Sequence, residues 1–169
     1  MGGGKFTEVT AQMGKSFAAP KVARATAYAD IDNDGFLDVL LTTNAGPAYL
    51  FHNEGGTNRS LRIKLVGTKS NRDGIGAVVR VSSGSDQQWK MLRSGSSYLS
   101  QSELVLTFGL GTRPRADSIE VQWPSGQLEK LSNVNAGQTV TVEEGKGIVG
   151  TRPYSKPPAR TEKQLATGN

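Results

Sequence analysis

Leu61-Arg62-Ile63-Lys64-Leu65-Val66 carries apolar side chains at alternate positions, with Arg62 and Lys64 between them. A β-strand points successive side chains to opposite faces, so this stretch reads as a strand with one face in a core. The same period returns downstream. Ala77, Val79 and Val81 repeat it around Arg80; Leu104, Leu106 and Phe108 follow; Ile119, Val121 and Trp123 stand against Glu120 and Gln122; Val140 and Val142 alternate with Thr139, Thr141 and Glu143. Turn-forming clusters separate these runs at Asn71-Arg-Asp-Gly74, Ser83-Gly-Ser-Asp86, Gly109-Leu-Gly111, Pro124-Ser-Gly126 and Asn135-Ala-Gly137. No window of useful length repeats at 3.6 residues, so helices are expected to be short or absent. The expected fold is all-β: an antiparallel β-sandwich or barrel-like domain.

Composition changes on both sides of this block. Residues 1–58 are rich in Ala and Asp and hold a dense acidic cluster, 59–145 carry the strands, and 146–169 read as an extended tail containing Pro153, Pro157 and Pro158. The 169 residues include 21 Gly, roughly 12% against a usual value of about 7%, which favours turns and short strands. There is no Cys, which excludes disulfides, thiol nucleophiles and Cys-ligated metals. His52 is the only His, so sites built on several His are excluded as well. The net charge is +5, but five of the 20 bases and one of the 15 acids fall beyond Gly145. The body before it is nearly neutral, and a nucleic-acid partner is not expected. No apolar run is long enough to span a bilayer, and Met1-Gly-Gly-Gly-Lys5 shows no signal-peptide h-region.

The most informative short motif is Asp30-Ile-Asp32-Asn-Asp34-Gly-Phe-Leu-Asp38, with carboxylates at relative positions 1, 3, 5 and 9 and Gly at 6. Like charges crowded in a loop destabilise it unless a cation neutralises them. Ca²⁺ accepts six to eight oxygens at about 2.3–2.6 Å in flexible geometry, and suits this set better than Mg²⁺, which demands an octahedron and keeps its waters. Gly35 permits the reversal that would gather Asp30, Asp32 and Asp34 around one centre. The Phe36 carbonyl and the Asp38 carboxylate would complete the site. An EF-hand starts the same way but needs a Glu at position 12, where Leu41 stands, and flanking helices where Val39-Leu-Leu-Thr-Thr43 reads as a strand.

Ala27-Tyr-Ala-Asp30-Ile-Asp-Asn-Asp-Gly-Phe-Leu-Asp38-Val-Leu-Leu resembles an FG-GAP (VCBS-type) repeat, the calcium-loop blade of integrin-like propellers, with Phe6-Thr-Glu-Val-Thr10 and Tyr49-Leu-Phe-His-Asn53 in the places of its flanking strands. The resemblance implies calcium ligands at Asp30, Asp32, Asp34, Asp38 and the Phe36 carbonyl. A propeller has several blades and one is present here, so its edges and apolar face must be covered by the next domain, another copy or a partner. The following block is similar to the ASPIC/UnbV domain of the cartilage acidic protein family, through Asn71-Arg-Asp-Gly-Ile-Gly-Ala77, Gly95-Ser-Ser-Tyr-Leu-Ser-Gln101, Phe108-Gly-Leu-Gly111 and Val121-Gln-Trp-Pro-Ser-Gly126. That likeness implies a periplasmic or extracellular, calcium-associated setting in adhesion or assembly.

The expected function is a non-enzymatic, calcium-stabilised protein-interaction or structural module of an envelope or extracellular assembly or homo-oligomer. The tail is expected to dock on a partner, with Tyr154 and its basic residues as anchors. The alternative is a carbohydrate-binding or adhesion module whose exposed rings, Trp89, Tyr98 or Tyr49, stack on a glycan. A metal-dependent hydrolase using the acidic cluster is a third reading, weakened because no general base is identifiable beside the loop.

Overall fold

The structure, a computed structural model, describes residues 6–155. A 3₁₀ turn (Thr10–Gln12) and the single-turn helix α1 (Lys15–Ala18) lead into eleven strands. These are β1 (Ala23–Ala29), β2 (Asp38–Thr43), β3 (Tyr49–Phe51), β4 (Arg59–Val66), β5 (Val78–Ser83), β6 (Asp86–Met91), β7 (Val105–Gly111), β8 (Arg115–Gln122), β9 (Leu128–Asn135), β10 (Gln138–Glu143) and β11 (Gly147–Pro153). They form three sheets, in the orders β1-β2-β3, β11-β10-β4-β7 and β6-β5-β8-β9. The two four-stranded sheets make an open sandwich rather than a closed barrel. Every pairing is antiparallel except β4 with β10. That pair can run parallel because the whole sandwich intervenes as the crossover.

The core is the meeting of the two inner faces. Leu61, Ile63 and Leu65, Leu106 and Phe108, and Val140 and Val142 come from one sheet; Val79 and Val81, Ile119 and Val121 come from the other. These are the side chains that the period of two assigns inward. Trp123 closes one end, 2% exposed, just before the turn at Pro124-Ser-Gly126. Gly74 and Gly76 lie at φ +69° and +93°, and a Cβ on Gly74 would come within 2.8 Å of the Leu65 Cβ, so only Gly fits there.

The same end is pinned by Glu144, a buried acid after β10. Its Oε2 accepts the consecutive backbone N–H groups of Thr68, Lys69 and Ser70 at 2.7–2.9 Å, and its Oε1 accepts the hydroxyls of Ser70 and Ser125. Successive N–H groups pointing to one centre make an anion nest, filled here by the chain itself. Burial pushes the Glu144 carboxyl up, but the hydrogen bonds from Ser125, Ser70 and Thr68 prevail and hold it at about 2.

Two expectations change against this architecture. Strand β11 occupies 147–153 and pairs with β10, so the first part of the expected tail belongs to the sandwich. It is an edge strand, nearly all exposed, and therefore lacks an apolar period. Phe6–Thr10 forms no strand; Phe6 is exposed and the segment enters the 3₁₀ turn. The remaining tail residues, including Lys156, Pro157, Pro158, Arg160 and Lys163, lie outside the described residues. Among the described residues no helix is long and apolar enough to cross a membrane.

The exposed edge of β1 is closed by the loop ahead of β7. Tyr28 N–H donates to Ser102 Oγ at 3.2 Å, Glu103 N–H donates to the Tyr28 carbonyl at 3.0 Å, and Ser100 Oγ donates to the Thr26 carbonyl at 2.9 Å. The 97–103 segment thus covers the β1 edge with Ser97, Ser100 and Ser102 side chains and one backbone N–H rather than with a strand. α1 adds Phe17, whose ring meets Phe51 edge-on at 5.0 Å.

Candidate metal centre

Asp30 follows β1, Asp38 opens β2, and the loop between them turns through Asn33 and Gly35, both at positive φ (62° and 91°). The four carboxylates face inward to different degrees: Asp30, Asp34 and Asp38 are buried and Asp32 is exposed. Asp30 accepts from the backbone N–H groups of Asp34 on Oδ1 (3.0 Å) and Gly35 on Oδ2 (2.9 Å). Its Oδ2 also meets the buried Arg62 Nη1 from β4 at 2.7 Å. Arg62 makes a second ion pair with Glu103. Asp38 accepts Ile31 N–H on Oδ2, and Asn53 N–H and His52 Nδ1 on Oδ1, the last two at 2.8 and 2.7 Å.

These partners set the charge states. Burial pushes Asp38 up, but the Asn53 and Ile31 N–H groups and His52 outweigh it and hold the carboxyl below its usual range. Asp34 moves the other way: burial raises it, the Phe36 N–H opposes that only in part, and Asp32, Asp30 and Asp38 add repulsion.

The structure brings Asp32, Asp34 and His52 together, with one ligand atom from each lying within 4.8 Å of the others. His52 enters from the residue after β3. With its Nδ1 on Asp38, its Nε2 lies 4.0 Å from Asp32 Oδ2. A carboxylate oxygen has two lone pairs, so Asp30 Oδ1 and Asp38 Oδ2, each with one N–H donor, keep one free. Asp34 accepts only the Phe36 N–H at 2.9 Å among the described residues. The Phe36 carbonyl accepts none from the described backbone. Oxygen acceptors therefore remain on all five expected ligands, and a hard cation fits the donor set.

Two groups from beyond the loop fix its shape. A Cβ built on Gly35 would overlap the Tyr154 ring, so the ring lies flush against the glycine. Tyr154 Oη and the Gly35 carbonyl share the Ser60 hydroxyl, at 3.0 and 2.8 Å. Ser155 N–H donates to the Asn33 carbonyl at 2.7 Å. Burial first, with Ser60 and Arg62 opposing, pushes the Tyr154 phenol up to about 12. Tyr154, expected to anchor a partner, is held on the loop of its own chain. Arg62, His52 and Tyr154 were not expected here, because each lies far from Asp30–Asp38 in sequence and only the fold brings it in.

Residues 67–149 match the ASPIC and UnbV family, a span that takes in β5 to β10 and the start of β11. Similar curated proteins are cartilage acidic protein 1 of Mus musculus, 38% identical over 61% of this chain and 16% of that protein, and of Homo sapiens, 36% identical over 68% and 18%. The Xenopus tropicalis protein of the same name is 34% identical over 60% and 16%. The chain spans less than a fifth of the length of these relatives.

Proposed function

We propose that this chain is a non-enzymatic, calcium-stabilised interaction module of an extracellular or periplasmic assembly, with Asp30–Asp38 as an FG-GAP-type calcium loop. The observation that carries it is the loop itself: Asp30, Asp34 and Asp38 are buried on one turn with Asp32 beside them, ligand atoms of Asp32, Asp34 and His52 lie within 4.8 Å of one another, and Arg62 is the one Arg or Lys paired with these acids among the described residues. Asp32, Asp34, the Phe36 carbonyl and the free lone pairs of Asp30 and Asp38 would hold Ca²⁺. The bound ion would supply the missing positive charge and rigidify the turn against β4. The likeness to cartilage acidic protein supports the setting and a binding role.

Isothermal titration of Ca²⁺ into chelator-stripped protein tests the reading. Binding heat and a rise in melting temperature are expected, since a ligand that binds only the folded state stabilises it by mass action. Asp34→Asn is expected to weaken binding by about tenfold or more by removing a charged ligand. Zn²⁺ binding in place of Ca²⁺, through His52, would overturn the assignment of the ion.

A second reading is favoured by one side chain. Tyr49 stacks on Phe51 and lies under Lys21, and Tyr98 lies under Arg24 at 4.0 Å, so both rings are engaged within the chain. Trp89 is 66% exposed, level with Arg80, Glu120 and Lys130 across the outer face of its sheet. A ring beside planar polar groups suits a sugar. A glycan array with wild type and Trp89→Ala tests this, and signal lost in the variant is expected if the ring is the platform.

A further inference from the structure

The cleft next to the metal loop carries a surplus of hydrogen-bond donors. It has a volume of about 570 Å³ and lies between the loop acids Asp30, which is paired with Arg62, and Asp32 on one side and the outward face of the β11-β10-β4-β7 sheet on the other, where Lys64, Thr139, Thr141 and Arg152 line it with Arg62. Register places these side chains in adjacent rows: Arg62 opposite Thr139 and Thr139 opposite Arg152, with Lys64 opposite Thr141. Lys64 and Arg152 are exposed, and neither meets a carboxylate among the described residues. Arg62 is 4% exposed, yet its Nε has no partner, and neither has the buried Thr139 Oγ1. A buried donor without an acceptor is destabilising, so such donors around one cleft point to a ligand that brings oxygen acceptors and negative charge.

We infer that this cleft receives an acidic side chain from an extended segment of a partner protein, held by Lys64 and Arg152. A carboxylate matches the cations and hydroxyls of the wall. A peptide rather than a small anion matches the rim, because β11 ends its sheet and leaves one backbone edge unpaired where Gly150 and Arg152 border the cleft. The inference rests on the interaction-module reading and names the partner's chemistry. It also ties the two sites together: Asp32 repels an incoming acid when bare, and a cation on the loop removes that repulsion. Peptide binding is therefore expected to be stronger in Ca²⁺ than in chelator.

The test is a fluorescence anisotropy titration with a labelled Gly/Ser peptide carrying two aspartates, against the same peptide with asparagines, in Ca²⁺ and in chelator. The aspartate peptide is expected to bind wild type, and to bind Lys64→Glu/Arg152→Glu about tenfold or more weakly. The asparagine peptide is expected not to bind. Both substituted side chains are exposed, and if the double variant loses its melting transition, Lys64→Gln alone gives the same comparison. Equal binding to wild type and variant, no binding to wild type, or displacement by a sulfated oligosaccharide at lower concentration than by unlabelled aspartate peptide would overturn the inference. Ca²⁺ heat without charge-dependent peptide binding removes the cleft and leaves the calcium loop; charge-dependent peptide binding without Ca²⁺ heat does the reverse.

Discussion

Arg62 joins three parts of the molecule: β4 carries it, Asp30 on the acidic loop accepts from one of its nitrogens, and Glu103 ahead of β7 accepts from another. Ion pairs this buried are weak evidence for stability as a whole, but removing one partner strands the others. Arg62→Met is therefore expected to destabilise the fold by about 3–5 kcal/mol, read as a drop in the urea midpoint. Lys in its place would restore charge without the two-pronged geometry and recover only part of the loss. Tyr154 offers a graded comparison. Tyr154→Phe removes the bond to Ser60 and is expected to cost about 1 kcal/mol, while Tyr154→Ala, which also uncovers Gly35, costs about 3–5 kcal/mol. Both are measurable by equilibrium unfolding.

At the level of the element, the β1 edge is the informative case. Its outward N–H and C=O groups at Thr26 and Tyr28 are satisfied by Ser97, Ser100, Ser102 and Glu103, so this edge is not left to pair with a foreign strand. Ser102→Ala is expected to raise the hydrogen-exchange rate of the Tyr28 amide well above that of the Ile63 amide in the central strand β4. The same scale explains what could be read beforehand. β4, β5, β7, β8 and β10 were legible because each lays an apolar row on the core. The outer strands β6, β9 and β11 were not: they are mostly exposed, and no core demands a period of two from them. The acidic turn was legible as a local motif, whereas Arg62, His52 and Tyr154 reach it only through tertiary contacts that no spacing encodes. Glu144 escaped for the same reason, since its donors lie in two distant loops.

For the whole molecule, Glu144 ties stability to acidity. Its folded pKa, about 2, lies below the ordinary 4.5. A depressed carboxylate contributes fully above its unfolded value and loses that contribution as pH falls toward the folded one. The melting temperature is thus expected to hold above about pH 4.5 and to fall between there and about pH 2, with a smaller fall over that window in Glu144→Gln. That variant is itself expected to be less stable at neutral pH by about 1–3 kcal/mol, because an amide cannot accept the full set of donors.

The register of β4, β10 and β11 also decides how the sandwich answers a pull. Leu61 near the start of β4 and Pro153 at the end of β11 both stand opposite Gln138, so they sit at one corner, about 10 Å apart across two strand spacings. Tension applied between them peels the sheet open one rung at a time, the weakest mechanical geometry, instead of shearing many rungs together. What resists the first rung is the grip of Tyr154 and Ser155 on the acidic turn, so a cation seated there would act as a fastener and set the force at which the module yields.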